Sequence, residues 1–232
     1  MAPYNKQSRL SAVELLDLLV ERLSDTGHTF WVDSGTLLGL VRDGGLIAGD
    51  NDLDLCLLGD PGSALDPVHE LLRALGYKKT LRRYRGVVCK YKYLPPHDNR
   101  ALPEVDLGVF QKGERVYWCP QWIHRGSRHD GVLYYVFGLP RKILKIAFER
   151  SAATELTART WKPITRIWTW CVPKPFLETP AVIHDTYPVP SPVEDYLSLR
   201  YGAWRVPDPN WTIRNDGALK QVAPEECEQE YA

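Results

Sequence analysis

The chain has 232 residues, 44% of them hydrophobic and 25% charged, and its 29 basic and 29 acidic side chains give a formal net charge of zero. That length suits one large domain or two small ones. The composition excludes a disordered chain and argues against general polyanion binding. The 8 Trp and 12 Tyr suit stacking on carbohydrate or nucleotide, and a compact core would use them equally well. No run of about 18 apolar residues occurs, so no spanning helix is expected. The opening MAPYNKQSRL lacks the apolar core of a signal peptide. The five cysteines are scattered and form no CxxC pair, so the expectation is free thiols in a reducing, cytoplasmic compartment rather than a disulfide framework or zinc finger.

Ser11 followed by Glu14 is a capping-box signature, and Leu15, Leu16, Leu18, Leu19 and Leu23 then give a helical apolar stripe that Gly27 stops. HTFWVDSG reads as a short strand into a turn, and TLLGLVRDGG as a short helix ending at a glycine pair. Asp52 to Leu58 alternates and predicts a strand. Asp66 to Leu75 predicts a helix closed by Gly76, and the Tyr- and Val-rich stretch from Thr80 to Leu94 predicts one or two strands. Glu104 to Phe110 alternates again, and QKGERVYWC follows as a hairpin with Lys112-Gly113 at its tip. Leu139 to Thr160 reads as helical. Six prolines between Val172 and Pro192 predict an extended strap, and Glu194 to Tyr201 a last short helix before an irregular tail. No internal repeat is visible. The order predicts a mixed α/β core with helical additions on the C-terminal side.

Charge is balanced in total but segregated along the chain. Between Asp43 and Glu70 there is no Lys or Arg; from Lys78 to Lys92 there are seven basic residues and no acid; a second basic stretch runs from Arg141 to Lys174. Such blocks suit a site that holds metal and phosphate, or simply solvated faces. Within the acidic block, Asp52, Asp54 and Cys56 share one strand face, and Leu53, Leu55 and Leu57 share the other. The two carboxylates stand about 6–7 Å apart along the strand. They suit hard cations such as Mg²⁺ or Mn²⁺, and the alternative is a solvated, inert acidic turn. Two neighbours favour the metal reading. In DSGTLLGLVR, the Gly35-Thr36 turn before a helix lets backbone approach a phosphate, with Arg42 about two turns on. In PEVDLGVF, Glu104, Asp106 and Gly108 share a polar face, so that an acid there completes the metal site or takes a proton from an attacking hydroxyl.

The stretch from Gly35 to Leu57, GTLLGLVRDGGLIAGDNDLDLCL, resembles the signature of the LicD family, related to fukutin and fukutin-related protein. YPVPSPVEDYLSLRYGAW, Tyr187 to Trp204, is similar to that family's closing motif. The resemblance implies a nucleotidyltransferase fold of the DNA polymerase β type. The single domain would occupy 1–232, with a core over about 11–138 and a helical, proline-rich extension over about 139–232. It further implies Mg²⁺- or Mn²⁺-dependent transfer of a substituted phosphate, such as phosphocholine or ribitol phosphate, from a CDP-linked donor to a glycan or other hydroxyl, including a lipid-linked one. Asp52 and Asp54 match the family's metal-binding pair, Asp50 the preceding acid, and Gly35, Thr36 and Arg42 the segment facing donor phosphates. Asp106 is placed as third carboxylate by strand pattern. Asn51 and Gly49 stand where the family usually has Asp and Trp, and Ala203 where Asp is usual.

Two other functions fit the same residues: addition of a nucleotide from an NTP to a small or sugar-phosphate acceptor, and a non-catalytic nucleotide-binding module. Nucleic acid is not expected as a partner. His124 and His129 with Cys119 match no standard zinc spacing and read as loop histidines. Lys78 to Lys92 reads either as an exposed basic strand or as a binder of donor phosphates or an anionic acceptor. LPRKILKIAFER reads as ordinary packing or as a peripheral membrane contact. Trp161, Trp168, Trp170 and Trp204 read as core residues or as stacking platforms.

Overall fold

The protein is described by a computed structural model over residues 10–97, 102–124 and 165–231. Its first helix, α1 (Ala12–Asp25), starts at the predicted capping box. Ser11 Oγ accepts from the Glu14 amide at 3.2 Å, and the Glu14 carboxylate accepts from the Ser11 amide at 2.7 Å. Leu15, Leu16, Leu19, Val20 and Leu23 form its buried stripe, with Leu18 at the margin.

Then follow β1 (Phe30–Val32), α2 (Ser34–Arg42), β2 (Asp52–Leu58), α3 (Asp66–Ala74), β3 (Lys78–Tyr84), β4 (Val87–Leu94), β5 (Glu104–Lys112) and β6 (Val116–His124). The described C-terminal part holds β7 (Thr165–Pro173), α4 (Pro175–Glu178), β8 (Ala181–Ile183), β9 (Tyr187–Val189), α5 (Val193–Tyr201) and β10 (Leu219–Lys220). The fold is therefore mixed α/β, as expected, around a largely antiparallel sheet.

The main sheet runs β1-β2-β5-β6-β7-β10, and β3 joins it through β4, which also pairs with β5. β5 is the hub. Its first seven residues lie parallel to β2, and Val105 to Gly108 pair antiparallel with β4, whereas only Gln111 and Lys112 reach β6. Val105, Leu107, Val109 and Phe110 of this central strand are all fully buried, while Glu104 and Asp106 point to the face opposite Val105 and Leu107. α3 packs on the face of β4 that carries Tyr91 and Tyr93, where Tyr93 and His69 Nδ1 are hydrogen-bonded at 2.5 Å.

The C-terminal side differs from the expected helical addition. Among the described residues it adds strands β7 and β10 to the main sheet, and α4 and α5 are short. The helix predicted over Leu139 to Thr160 lies outside the described residues. The proline strap is broken up. Pro175 opens a single helical turn, a position where its missing N–H is no loss, and Pro188 sits in the small β8–β9 hairpin. No helix among the described residues is long and apolar enough to cross a membrane.

Cysteine chemistry also departs from expectation. Cys171 on β7 is disulfide-bonded to Cys227, 56 residues away in the C-terminal 3₁₀ turn, while Cys56, Cys89 and Cys119 are buried free thiols. The pairing was invisible in the spacing because tertiary contacts of that turn with β6 and β7 bring the two residues together. The cytoplasmic placement rested on free thiols, and the bond removes that ground. Closing a loop of this length should stabilise the fold by about 2–4 kcal/mol. Cys227→Ser should lose that amount in urea unfolding, reduction of the wild type should have the same effect, and reduction of the variant should have none.

Candidate functional site

The alternation of β2 and β5 builds the centre of the site. Parallel pairing sets Asp54 beside Asp106 and Asp52 beside Glu104, while Leu53, Leu55 and Leu57 enter the core. Carboxylate oxygens of Asp52, Asp54 and Asp106 all lie within 4.8 Å of one another. Like charges this close, partly out of water, resist ionisation. Asp54 is pushed up to about 8, by desolvation first and the adjacent Asp52 second. Asp52 is pushed up to about 6, by burial and then by Asp50.

The counter-charges come from β4, which lies antiparallel to β5. Lys90 is ion-paired with Asp106, and Lys92 with Glu104; Lys92 Nζ is also 3.5 Å from Asp106 Oδ1. That oxygen is buried and has no hydrogen-bond partner. A buried carboxylate oxygen with only a long ion-pair contact to Lys92 and no hydrogen bond is a candidate metal ligand, and an all-oxygen donor set fits Mg²⁺ or Mn²⁺.

The start of α2 sits against this cluster. Asp33 is its N-cap, accepting from the Ser34 amide at 2.6 Å. A Cβ placed on Gly35 would lie 2.6 Å from Asp50 Oδ2 and 4.0 Å from Asp54 Oδ2, so the backbone approaches the carboxylates as closely as a glycine allows. Thr36 is buried, and its Oγ1 accepts from the Asp54 amide at 2.9 Å, tying the helix to β2. Asp50 is exposed and turns back to accept from the Asn51 amide at 3.0 Å. Gly35→Ala should push the exposed Asp50 carboxylate off the turn without unfolding the chain, which an unchanged circular dichroism spectrum checks.

Arg42 is not on the carboxylates. Its guanidinium grips Asp43 through Nε at 2.8 Å and Nη2 at 2.7 Å. It stands at the same end of the molecule, since Tyr201 acts electrostatically on Arg42 and is itself acted on by Asp54. Glu104 faces Lys92 and stays outside the close trio. Trp170 and Trp204 are buried. Trp161, His129 and LPRKILKIAFER lie outside the described residues.

One part of the site had no counterpart in the sequence reading. Arg200 on α5, only 1% exposed, donates through Nη1 to Asp33 Oδ1 at 2.7 Å and through Nε to Asp216 Oδ2 at 2.6 Å. Nη2 reaches Ser34 Oγ at 3.3 Å, and the guanidinium lies 4.7 Å from the centre of the Trp170 ring. The Tyr196 hydroxyl donates to Asp33 at 2.9 Å. The closing motif thus clamps the N-cap of α2. Ser34, held beside that clamp, has φ +51°, a left-handed conformation that non-glycine residues adopt only when their surroundings impose it. The available signal was the spacing of Tyr196 and Arg200, which puts both on one face of α5, one helical turn apart.

Residues 27–141, about half of the chain, match a family model described as LicD/FKTN/FKRP, nucleotidyltransferase domain. The chain is 33% identical over 81 residues to an uncharacterized protein of Rickettsia prowazekii (strain Madrid E), covering 35% of this chain and 30% of that protein. It is 31% identical over 74 residues to an uncharacterized protein of Rickettsia typhi (strain ATCC VR-144 / Wilmington), covering 32% of this chain and 24% of that one. The aligned stretch thus spans less than a third of either relative. The β2 carboxylates, their partner on β5 and the turn of α2 against them all fall inside the matched stretch, and by it the chain belongs to the LicD family.

Proposed function

We propose that the chain transfers a substituted phosphate, such as phosphocholine or ribitol phosphate, from a CDP-linked donor to a hydroxyl of a glycan. The observation that carries this reading is the convergence of Asp52, Asp54 and Asp106 directly beside the first turn of α2. The three carboxylates would hold Mg²⁺ or Mn²⁺, which when bound neutralises charge on a phosphoryl group. The Gly35-Thr36 turn and Arg42 hold the donor's phosphates, for which Arg42 has to share or release Asp43. The acceptor oxygen attacks the phosphorus distal to the nucleotide. A new O–P bond forms, the bond to the bridging oxygen breaks, and CMP leaves. Asp106 positions the acceptor hydroxyl or takes its proton.

A second reading, suggested by the family's nucleotidyltransferase description, has the hydroxyl attack the α-phosphate of an NTP, with pyrophosphate leaving. Incubation with Mn²⁺ and CDP-choline, CDP-glycerol, CDP-ribitol or each of the four NTPs, followed by mass spectrometry, separates them. The first reading expects CMP from a CDP donor, lost in Asp52→Ala. Pyrophosphate from an NTP supports the second, and binding without any turnover would leave a nucleotide-binding module. A guanidinium grips phosphate through two parallel bonds that an ammonium cannot reproduce. Arg42→Lys should therefore weaken donor binding by roughly 2 kcal/mol. Equal donor affinity in the two proteins would remove Arg42 from the phosphate site.

A further inference from the structure

We infer that the open half of the carboxylate-bearing sheet face, on β3 and β4, is a subsite for a negatively charged group on the acceptor. The inference rests on the transfer reading above and names the acceptor's charge. Residues directly opposite each other in a sheet present their side chains on one face, so the register lays out that face row by row. One row runs Asp54, Asp106, Lys92, Thr80, and the next runs Cys56, Gly108, Lys90, Arg82. Lys78 follows on β3, opposite Leu94. Acids therefore occupy β2 and β5, and cations occupy β4 and β3.

The lysines of β4 are taken up by Asp106 and Glu104. The outer pair is not: Lys78 and Arg82 are exposed and have no acidic partner among the described residues. Their placement on this face agrees with their neighbours. Arg82 acts electrostatically on Lys92, whereas Lys79 acts on His69 and Arg83 on Tyr91 across the sheet. Two strand spacings across and one row along separate the two positions, so Arg82 stands about 12 Å from Asp106. An acceptor whose hydroxyl reached the carboxylates would lay a phosphate or carboxylate, carried a short saccharide length away, against Arg82 and Lys78. Arg82 supplies a planar fork for such a group. Cations on an exposed edge strand also prevent edge-to-edge pairing, and the test separates the two roles.

Binding of N-acetylglucosamine 1-phosphate, glucuronic acid and neutral N-acetylglucosamine would be measured by ligand-observed NMR in EDTA, where no metal-held phosphate contributes. The charged sugars should bind about tenfold more tightly than the neutral one, the scale of a charge-assisted hydrogen bond. The double variant Lys78→Gln/Arg82→Gln should lose that preference while binding Mn²⁺ like the wild type. Preference for the phosphate alone or for both anions identifies the acceptor's charged group. Equal binding of charged and neutral sugars overturns the proposal. So does a preference that survives in the double variant; faster aggregation of that variant would then mark the charges as edge protection. Mn²⁺-dependent binding of CDP-choline and CDP-ribitol, measured on both proteins, reports on the transfer reading separately. Its absence from the wild type would sink that reading without altering the sugar result.

Discussion

Manganese binding to the wild-type chain should tighten about tenfold per pH unit between pH 6 and pH 8, and about a hundredfold per unit below pH 6. The steps follow from Asp54, held at about 8, and Asp52, held at about 6. A cation must displace the proton of each carboxylate it uses, and one proton displaced is one decade per pH unit. Calorimetry in buffers of different ionisation enthalpy should therefore show about one proton released at pH 7. The same groups act on stability with the opposite sign. Their native pKa values are raised, so the folded state binds more protons than the unfolded one between about pH 4 and pH 8, and metal-free stability falls as pH rises through that window. Saturating Mn²⁺ should flatten that dependence, because each decade gained in affinity offsets the stability lost over the same pH unit. Asp52→Ala and Asp54→Ala should each abolish measurable binding. Binding that ignores pH from 6 to 8, or that survives in both variants, would remove the metal from this site.

Replacing Arg200 should be the most damaging single change for stability. Arg200→Met keeps much of the volume but leaves Asp33 and Asp216 buried with no cation. Breaking a buried ion pair from one side typically loses about 3–5 kcal/mol. Urea unfolding should show a loss of that order, and Arg200→Lys should fall between, because an ammonium cannot bridge both carboxylates with the geometry of the fork. The triple variant Asp33→Asn/Arg200→Met/Asp216→Asn should recover a large part, since no buried charge is then unmatched. A loss under about 1 kcal/mol in Arg200→Met would show that the network is not what holds α5 onto α2.

Much of the fold was legible where periodicity is local. The capping box and leucine stripe of α1, and the two faces of β2 and β5, follow from spacing alone, and those faces are what bring Asp52, Asp54 and Asp106 together. What stayed hidden depends on pairing between distant segments. That Lys90 and Lys92 neutralise the β5 acids requires β4 to lie beside β5 in a particular register. Asp33 and Arg200 are 167 residues apart. Thr36 matches the segment facing donor phosphates; that its Oγ1 also accepts from the amide of Asp54 is visible only once α2 is docked on β2. The prolines after β7 announced a break in regular structure without saying that a helical turn and a hairpin would fill it.

The bond between Asp33 and Arg200 has a consequence for where this chain can be cut. Asp33 lies inside the matched stretch 27–141, while both its cation and Asp216 lie beyond it. A recombinant fragment cut at residue 141 would bury an aspartate with no counter-ion at the cap of the helix that faces the carboxylates, and would strip β6 of its partner β7. The recognisable half is thus not an autonomous module. In any chimera built on this chain, Asp33, Arg200 and Asp216 have to be kept together, because each is tolerable in its surroundings only in the company of the other two.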